Sequence, residues 1–235
     1  MAILNATPDS FYSASRLSDA GQVLAAAERA MAEGADILDL GACSTRPGYT
    51  PVPVEEEWRR LEPALRAIRT SLHNIPLSID TFQPEIARRA MDSCGPLIIN
   101  DISGGCEAMY ALVREYNAEY IWTLRGQLNI AEQWPAMQDM RIILDPGLGF
   151  TGSTERDYEC LRQLPELKQY ERPILVGLSR KSMVYRPLGL TPETCLAPTQ
   201  VLHLYALQQG ATILRTHDVR DTMNTITIYN TIADC

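Results

Sequence analysis

The chain has 235 residues, of which 46% are hydrophobic and 21% charged, and its formal net charge at pH 7 is −8. This composition is ordinary for a globular protein of one large or two small domains, and the acidic balance argues against nucleic-acid binding. The longest apolar runs, residues 96–99 and 142–144 for example, are too short to cross a bilayer. Because no signal peptide is visible either, we expect a cytoplasmic protein without membrane contacts.

The six cysteines are scattered along the chain at positions 43, 94, 106, 160, 195 and 235. None of them forms a CxxC pair or has a histidine close by in sequence, and a zinc cluster needs closely spaced ligands. The spacing therefore argues against a metal cluster and predicts reduced thiols.

Short β-branched runs alternate with longer amphipathic stretches in the first half of the chain, a pattern typical of parallel strands with crossover helices. The spacing predicts strands at residues 2–5, 35–40, 77–80 and 97–100, and helices at residues 19–33, 54–70, 84–93 and 107–116. Gly34 follows the first helix, where a left-handed cap is favoured.

The same alternation continues in the second half, with strands predicted at residues 119–123, 141–145, 174–176 and 212–214. Helices are predicted at residues 154–168, 192–209 and 218–233. The stretch 128–140 contains Pro135 and indicates only a short or broken helix.

Eight strands, each followed by a helical segment, predict a (β/α)8 TIM barrel with a shortened or irregular fifth βα unit. A doubly wound open sheet is the competing arrangement. Since no linker, repeat or low-complexity segment divides the chain, we expect residues 1–235 to form a single domain.

Polar residues stand at the carboxyl ends of six predicted strands, which is where barrel enzymes place their chemistry. One of these residues alone could be a helix cap, and Asp145, which is followed by Pro-Gly, fits a turn equally well. As a set around the carboxyl-terminal rim of a barrel, these polar residues together predict a binding or catalytic site. They are Asn5, Asp80, Asn100 with Asp101, Asp145, Ser179-Arg180-Lys181 and Arg215-Thr216-His217.

These residues divide into two chemical groups. Arg46, which is flanked by hydroxyl residues, Lys181, Arg215 and His217 concentrate positive charge, as a phosphate site requires. Arg215 and His217 lie two residues apart in an extended segment and are expected to face the same side. The carboxylates of Asp80 and Asp145, with the Asn100 amide, suit a ring that carries N–H donors. The two groups predict a heterocyclic substrate with a phosphate or pyrophosphate, while His73 and His203 are expected to lie away from the site.

Seven segments of the chain, in order, resemble those of the dihydropteroate synthase family, and they extend over essentially its whole length. They are residues 5–11 (NATPDSF), 44–48 (STRPG), 78–81 (SIDT), 100–104 (NDISG), 145–150 (DPGLGF), 179–182 (SRKS) and 215–219 (RTHDV). The resemblance implies a transferase that joins 4-aminobenzoate to 7,8-dihydropterin-6-ylmethyl diphosphate in folate synthesis and releases diphosphate.

The resemblance also implies roles for individual residues. Asp80, Asn100, Asp145 and Lys181 would hold the pterin; Asn5, Arg46, Arg215 and His217 would hold the diphosphate and its Mg²⁺, with Asn5 as the metal ligand; Thr45, Phe150 and Ser179 would lie near 4-aminobenzoate. Catalysis would rest on Asp80, Lys181, Arg215 and His217, with Asp9 brought in by loop closure. The implied assembly is a homodimer formed through the late helices around residues 191–209 and 218–233.

The chain also departs from the family pattern in three places. Residues 122–126 read WTLRG where members commonly carry MHMRG, and residues 151–153 read TGS where a lysine is usual. The segment from Arg125 to Arg141 is shortened. Two alternatives therefore stay open: a degenerate pterin-binding paralogue without turnover, and a methyltransferase of the methyltetrahydrofolate type, which has no need of the cationic motifs.

Overall fold

The computed structural model describes residues 1–6, 20–43 and 52–233 of the chain. Its contacts divide the chain into two compact units, which are Ala2–Trp122, the first unit, and Met1 together with Thr123–Cys235, the second unit. Within the described ranges no helix is both long and apolar enough to cross a membrane.

The first unit alternates strands and helices. Its strands are β1 (Ala2–Asn5), β2 (Leu38–Gly41), β3 (Leu77–Asp80), β4 (Ile98–Asp101) and β5 (Glu119–Thr123), the last of which ends on the first residue of the second unit. Its helices are α1 (Ala20–Ala32), α2 (Val54–Ser71), α3 (Pro84–Cys94) and α4 (Glu107–Tyr116).

Strands β1 to β5 pair in parallel and in chain order. Most of their residues are buried, as expected for a parallel sheet whose two faces are both covered, although Asp39 in β2 and Ser78 in β3 are polar. The register places Asn5 beside Gly41, Gly41 beside Asp80, and Asp80 beside Asn100. The carboxyl ends of four neighbouring strands are therefore level, and their polar end residues are brought together.

The second unit has shorter and less regular elements. They are α5 (Trp134–Met137), β6 (Arg141–Asp145), α6 (Thr154–Arg162), β7 (Leu175–Val176), α7 (Ser182–Tyr185), α8 (Leu196–Gln209), β8 (Ile213–Leu214) and α9 (Val219–Ala233), with 3-10 helices at Leu164–Tyr170 and Arg186–Leu188. Strand β7 pairs in parallel with β8, and Leu144 in β6 forms a parallel bridge to Ile174, the residue before β7.

The predicted bounds of β1, β3, β5, β6 and α4 are confirmed, and the other ends differ for local reasons. Strand β2 begins three residues later than predicted because the Ala35 amide donates to the Ala30 carbonyl, which closes the C-terminus of α1 around Gly34. The helix predicted at residues 154–168 ends at Arg162, and the following 3-10 helix has a proline in its first turn. Helix α8 begins at Leu196, four residues later than predicted, and the short helix α7 was not predicted.

The fifth helical segment is reduced to a single turn, as the sequence predicted. The stretch nevertheless buries an apolar set made of Leu124, Leu128, Ile130, Met137 and Met140. The Trp134 ring packs on Tyr170 at 5.0 Å between centroids, and the Arg172 guanidinium lies 5.4 Å from the centre of the Trp134 ring. Loop side chains therefore cover core that a longer helix would otherwise cover.

Replacing Leu65 tests the packing of α2. Leu65 is fully buried, so Leu65→Ala leaves a cavity and is expected to lower the free energy of unfolding by about 2–5 kcal/mol. Urea unfolding followed by circular dichroism measures the change. The matched control is Arg66→Ala, because the Arg66 side chain is 66% exposed in a surface pair with Glu62; its effect is expected to stay within about 0.5 kcal/mol. Equal losses in the two variants would contradict the packing of α2.

Candidate active site

Asp80 and Asn100 are neighbours at the carboxyl ends of β3 and β4 in the first unit. Both side chains are buried, with exposures of 5% and 2%, and their Cα atoms are paired in the strand register. The Asn100 Nδ2 group donates to Asp39 Oδ2 at 3.1 Å. Asn5, at the end of β1, is half-buried. The first unit thus gathers carboxylate and amide oxygens, which are acceptors for N–H groups.

Asp39 is a participant that the sequence reasoning missed. It lies inside β2, is fully buried, and holds the Asn100 amide. Its position two residues before Gly41 places it on the same face as the strand end. The signal was an acidic residue between Leu38 and Leu40, in a run that is otherwise apolar.

Gly41 leaves room beside Asp80. A Cβ atom at position 41 would lie 3.3 Å from Asp80 Cβ, which is a tight contact. The absence of a side chain on β2 at this point therefore keeps the space next to the carboxylate open.

Asp101 follows Asn100 but serves the fold. Its Oδ2 accepts from the Tyr120 hydroxyl at 3.0 Å and its Oδ1 from the Ser103 amide at 2.8 Å. Burial raises the pKa of Asp101, and the bonds from Ser103 and Tyr120 oppose that rise. Successive strand residues face opposite sides, so Asn100 and not Asp101 shares a face with Asp80.

Asp145 is the buried carboxylate of the second unit, at the end of β6. Its Oδ1 accepts from the Gly147 amide at 2.8 Å, which is the turn role that the Pro-Gly sequence indicated. Burial raises the pKa of Asp145, while Lys181, the Gly147 amide and Arg215 act in the opposite direction. The Asp145 side chain therefore both stabilises the Pro-Gly turn and contributes to the candidate site, where it interacts electrostatically with the Lys181 and Arg215 cations.

Lys181 reaches the loop that follows Asp145. Its Nζ donates to the Leu148 carbonyl at 2.5 Å and lies 4.9 Å from the centre of the Phe150 ring. Gly149 has a φ of +85°, and a Cβ there would lie 2.8 Å from Lys181 Cδ, so only glycine allows the lysine stem to pass.

Arg215 and His217, which follow β8, lie next to Gly177 and Ser179, which follow β7. A Cβ at Gly177 would lie 3.7 Å from Arg215 Cβ and 3.8 Å from Lys181 Nζ, so both cationic side chains lie next to this glycine. Ser179 Oγ lies 3.1 Å from His217 Nδ1 and accepts from the His217 amide at 3.3 Å. The second unit thus brings together Asp145, Phe150, Ser179, Lys181, Arg215 and His217.

Three predicted site residues, Asp9, Thr45 and Arg46, lie outside the described residues. His203 is fully buried between α8 and α9, where its Nδ1 lies 3.3 Å from Gln200 Oε1. Burial lowers the pKa of His203 to about 4, so its imidazole is neutral at physiological pH.

Within residues 1–6, 20–43 and 52–233, no cluster of three or more His, Cys, Asp or Glu side chains could hold a metal ion. Cys43, Cys94, Cys106, Cys160 and Cys195 form no disulfide.

The comparisons with known proteins agree on one family. A family model described as "Pterin binding enzyme" matches residues 1–132 and 123–217. The dihydropteroate synthase of Synechocystis sp. is 35% identical over 247 residues, which cover 93% of this chain and 84% of that protein.

Solved structures of dihydropteroate synthases also resemble the chain over nearly its whole length. The Xanthomonas albilineans dihydropteroate synthase with 4-aminobenzoic acid has a TM-score of 0.89 at 33% identity, covering all of this chain and 92% of that one. The Burkholderia cenocepacia enzyme complexed with 7,8-dihydropteroate has a TM-score of 0.86 at 33% identity, covering 99% and 90%. These likenesses confirm the predicted (β/α)8-barrel class.

The raised pKa of Asp145 predicts a pH-dependent stability. The folded protein binds the Asp145 proton more tightly than the unfolded chain does, so this residue's contribution to stability increases as the pH falls through the raised pKa towards the ordinary value of an aspartate. Asp145→Asn keeps an acceptor for Gly147 and removes the titration. We expect the variant to be the more stable protein at pH 8 and the difference to narrow on acidification.

Chemical unfolding of both proteins between pH 5 and 8 measures this difference directly. Because every other titrating group is common to the two proteins, subtraction isolates position 145. A stability difference that widened as the pH fell would contradict the raised pKa.

Proposed function

The chain belongs to the dihydropteroate synthase family of pterin-binding enzymes, and we propose that it joins 7,8-dihydropterin-6-ylmethyl diphosphate to 4-aminobenzoate, forming 7,8-dihydropteroate and diphosphate. The observation that carries the proposal is the buried Asp145 carboxylate beside Lys181 and Arg215. This arrangement offers an acceptor for ring N–H groups next to cations for an anionic group.

The pterin ring is proposed to bind Asp80, Asn100, Asp145 and Lys181. Burial of the first three supports this assignment, because a shielded acceptor binds an N–H donor more strongly than an exposed one does. Asp39 would act through Asn100: its carboxylate accepts from Nδ2, which leaves the amide oxygen of Asn100 for the ring.

The diphosphate is proposed to bind Asn5, Arg46, Arg215 and His217. The bond between the pterin methylene carbon and the diphosphate oxygen breaks, the amine nitrogen of 4-aminobenzoate bonds to that carbon, and the nitrogen loses a proton. Cations at the leaving group stabilise the charge that develops there, and the carboxylates of Asp80 and, after loop closure, Asp9 stabilise the electron-poor pterin. No nucleophilic side chain is required.

Mg²⁺ is proposed as the metal that accompanies the diphosphate. The described residues suit it, since Mg²⁺ keeps several waters and takes substrate phosphates with only one or two protein oxygens, and the half-buried Asn5 amide offers one. When bound, the ion would neutralise charge on the leaving diphosphate.

4-Aminobenzoate is proposed to lie near Thr45, Phe150 and Ser179. Phe150 offers an aromatic face that already stands close to the Lys181 ammonium. Ser179 is almost fully buried, and its hydroxyl is held by His217. A flat aromatic acid suits such an apolar wall with a polar edge.

Removing either cation of the second unit tests the activity. With pterin diphosphate, 4-aminobenzoate and Mg²⁺ supplied, Lys181→Ala and Arg215→Ala are each expected to lower kcat by about 10²–10³-fold. The matched control is Lys168→Ala, since Lys168 is the other lysine of the chain and is exposed. Release of dihydropteroate and diphosphate is the measurement.

Two results would contradict the proposal in different ways. A parent protein that binds pterin but forms no product would favour the non-catalytic paralogue. Full turnover in both variants would show that the site residues are wrongly assigned. The methyltransferase alternative is not favoured, since the curated relatives are dihydropteroate synthases.

A homodimer is proposed as the assembly, and its cytoplasmic location stays a prediction from the sequence. Val201 in α8 and Ile228 and Ile232 in α9 are 67%, 58% and 66% exposed. Of the 15 residues of α9, only Val219 and Thr222 are buried. So much uncovered apolar surface on two adjacent helices supports pairing with a second copy.

Charged substitutions on these helices test the dimer. Val201→Glu combined with Ile228→Glu places carboxylates in the proposed interface, and we expect sedimentation equilibrium to give the mass of one chain in place of two. Gln208→Glu, at an exposed polar position of α8, is the control and should leave the mass unchanged. A parent protein that sediments as a single chain would refute the dimer.

A further inference from the structure

Arg180 adopts a backbone conformation that is unusual for its residue type. Its φ is +58°, in the left-handed region that favours glycine. It stands between Ser179 and Lys181, the two residues of this loop that the proposed function assigns to substrates. The conformation of Arg180 therefore sets the directions in which both neighbours point.

The Arg180 side chain forms a two-point ion pair with Asp218. Nε donates to Oδ2 at 3.1 Å and Nη2 donates to Oδ1 at 2.5 Å. Each side chain is only 15% exposed. A planar guanidinium that meets a carboxylate at two points restricts orientation as well as distance, which a lysine cannot do.

The pair connects the segments that follow β7 and β8. On the first segment Ser179 contacts His217 through Oγ and Nδ1. On the second, Asp218 directly follows His217, and its amide donates to Thr216 Oγ1 at 3.1 Å. The Ser179–His217 contact and the Arg180–Asp218 pair thus join consecutive residues of the same two segments, so a change in one contact also affects the other.

We propose that Arg180 is a positioning residue, whose two-point pair with Asp218 maintains the left-handed turn that aligns Ser179 and Lys181 with His217. This inference rests on the proposed function. Arg180 touches no reacting atom in this proposal; it acts through its neighbours. Small displacements of aligned groups slow a reaction much more than they weaken binding.

Variants at both ends of the pair test the proposal. Arg180→Ala removes the side chain and keeps the left-handed strain, whereas Arg180→Gly removes the side chain and relieves the strain. Arg180→Lys keeps the charge without the two-point geometry, and Asp218→Asn weakens the partner. We expect each to lower kcat by about 10- to 100-fold, with KM for the pterin substrate changing less than kcat.

Glu193→Gln is the matched control. The Glu193 carboxylate is exposed, and the Arg180 charge is the smallest of the influences on its pKa. Replacing Glu193 with glutamine therefore removes a nearby negative charge without breaking the Arg180–Asp218 pair. The Arg180→Ala/Asp218→Asn double variant is expected to be no slower than the slower single variant, as for two residues that act as a unit.

Nitrogen-15 NMR of His217 supplies a readout that does not depend on turnover. The chain has three histidines, so a His217→Gln spectrum assigns the ring signals. We expect these signals to shift in Arg180→Ala and Arg180→Lys and to stay in place in Glu193→Gln.

The outcomes separate this inference from the proposed function. An inactive parent whose His217 signals still shift in Arg180→Ala would refute the function and support the positioning role. An active parent with unchanged kcat and unchanged His217 signals in the variants would overturn the positioning role alone. Full recovery in Arg180→Gly would show that backbone freedom, and not the ion pair, is what matters. If Arg180→Ala fails to fold, Arg180→Lys and Asp218→Asn decide by the same measurements.

Discussion

Buried carboxylates at the ends of parallel strands impose the constraint on which much of this structure depends. Asp39, Asp80 and Asp145 are 0%, 5% and 7% exposed, and an ionised carboxylate in that setting is costly unless donors or cations surround it. The Asn100 amide donates a hydrogen bond to Asp39. The Gly147 amide donates to Asp145, and the positive charges of Lys181 and Arg215 also stabilise the Asp145 carboxylate.

The loops that follow the strands satisfy this constraint through their backbone conformations. Gly149 lets the Lys181 stem pass towards Phe150, and Gly177, which has no side chain, leaves space beside Lys181 and Arg215. Arg180 holds a left-handed turn without being glycine, and its two-point pair with Asp218 accompanies that strain. Strained turns of this kind persist where surrounding contacts over-determine them, and they concentrate at functional sites.

The shortened fifth unit shows which parts of such a fold can be reduced. Helix α5 has only four residues, yet Leu128, Ile130 and Met137 still cover the core. The hydrophobic requirement is for buried apolar area and does not demand a helix.

Local patterns were sufficient to predict the strands, because buried parallel strands are short apolar runs that end at polar residues, as at Asp80 and Asp145. The effects of the glycine after α1 and of the proline in the fifth segment could also be predicted, since each residue acts through its own φ angle. Asp39 was missed because its partner, Asn100, is 61 residues away. The Arg180–Asp218 pair was missed for the same reason, at a separation of 38 residues. The sequence by itself determined which strands form and which polar groups stand at their ends. Only the tertiary structure decided which of those groups face one another, because strand register and left-handed turns set directions that no local pattern contains.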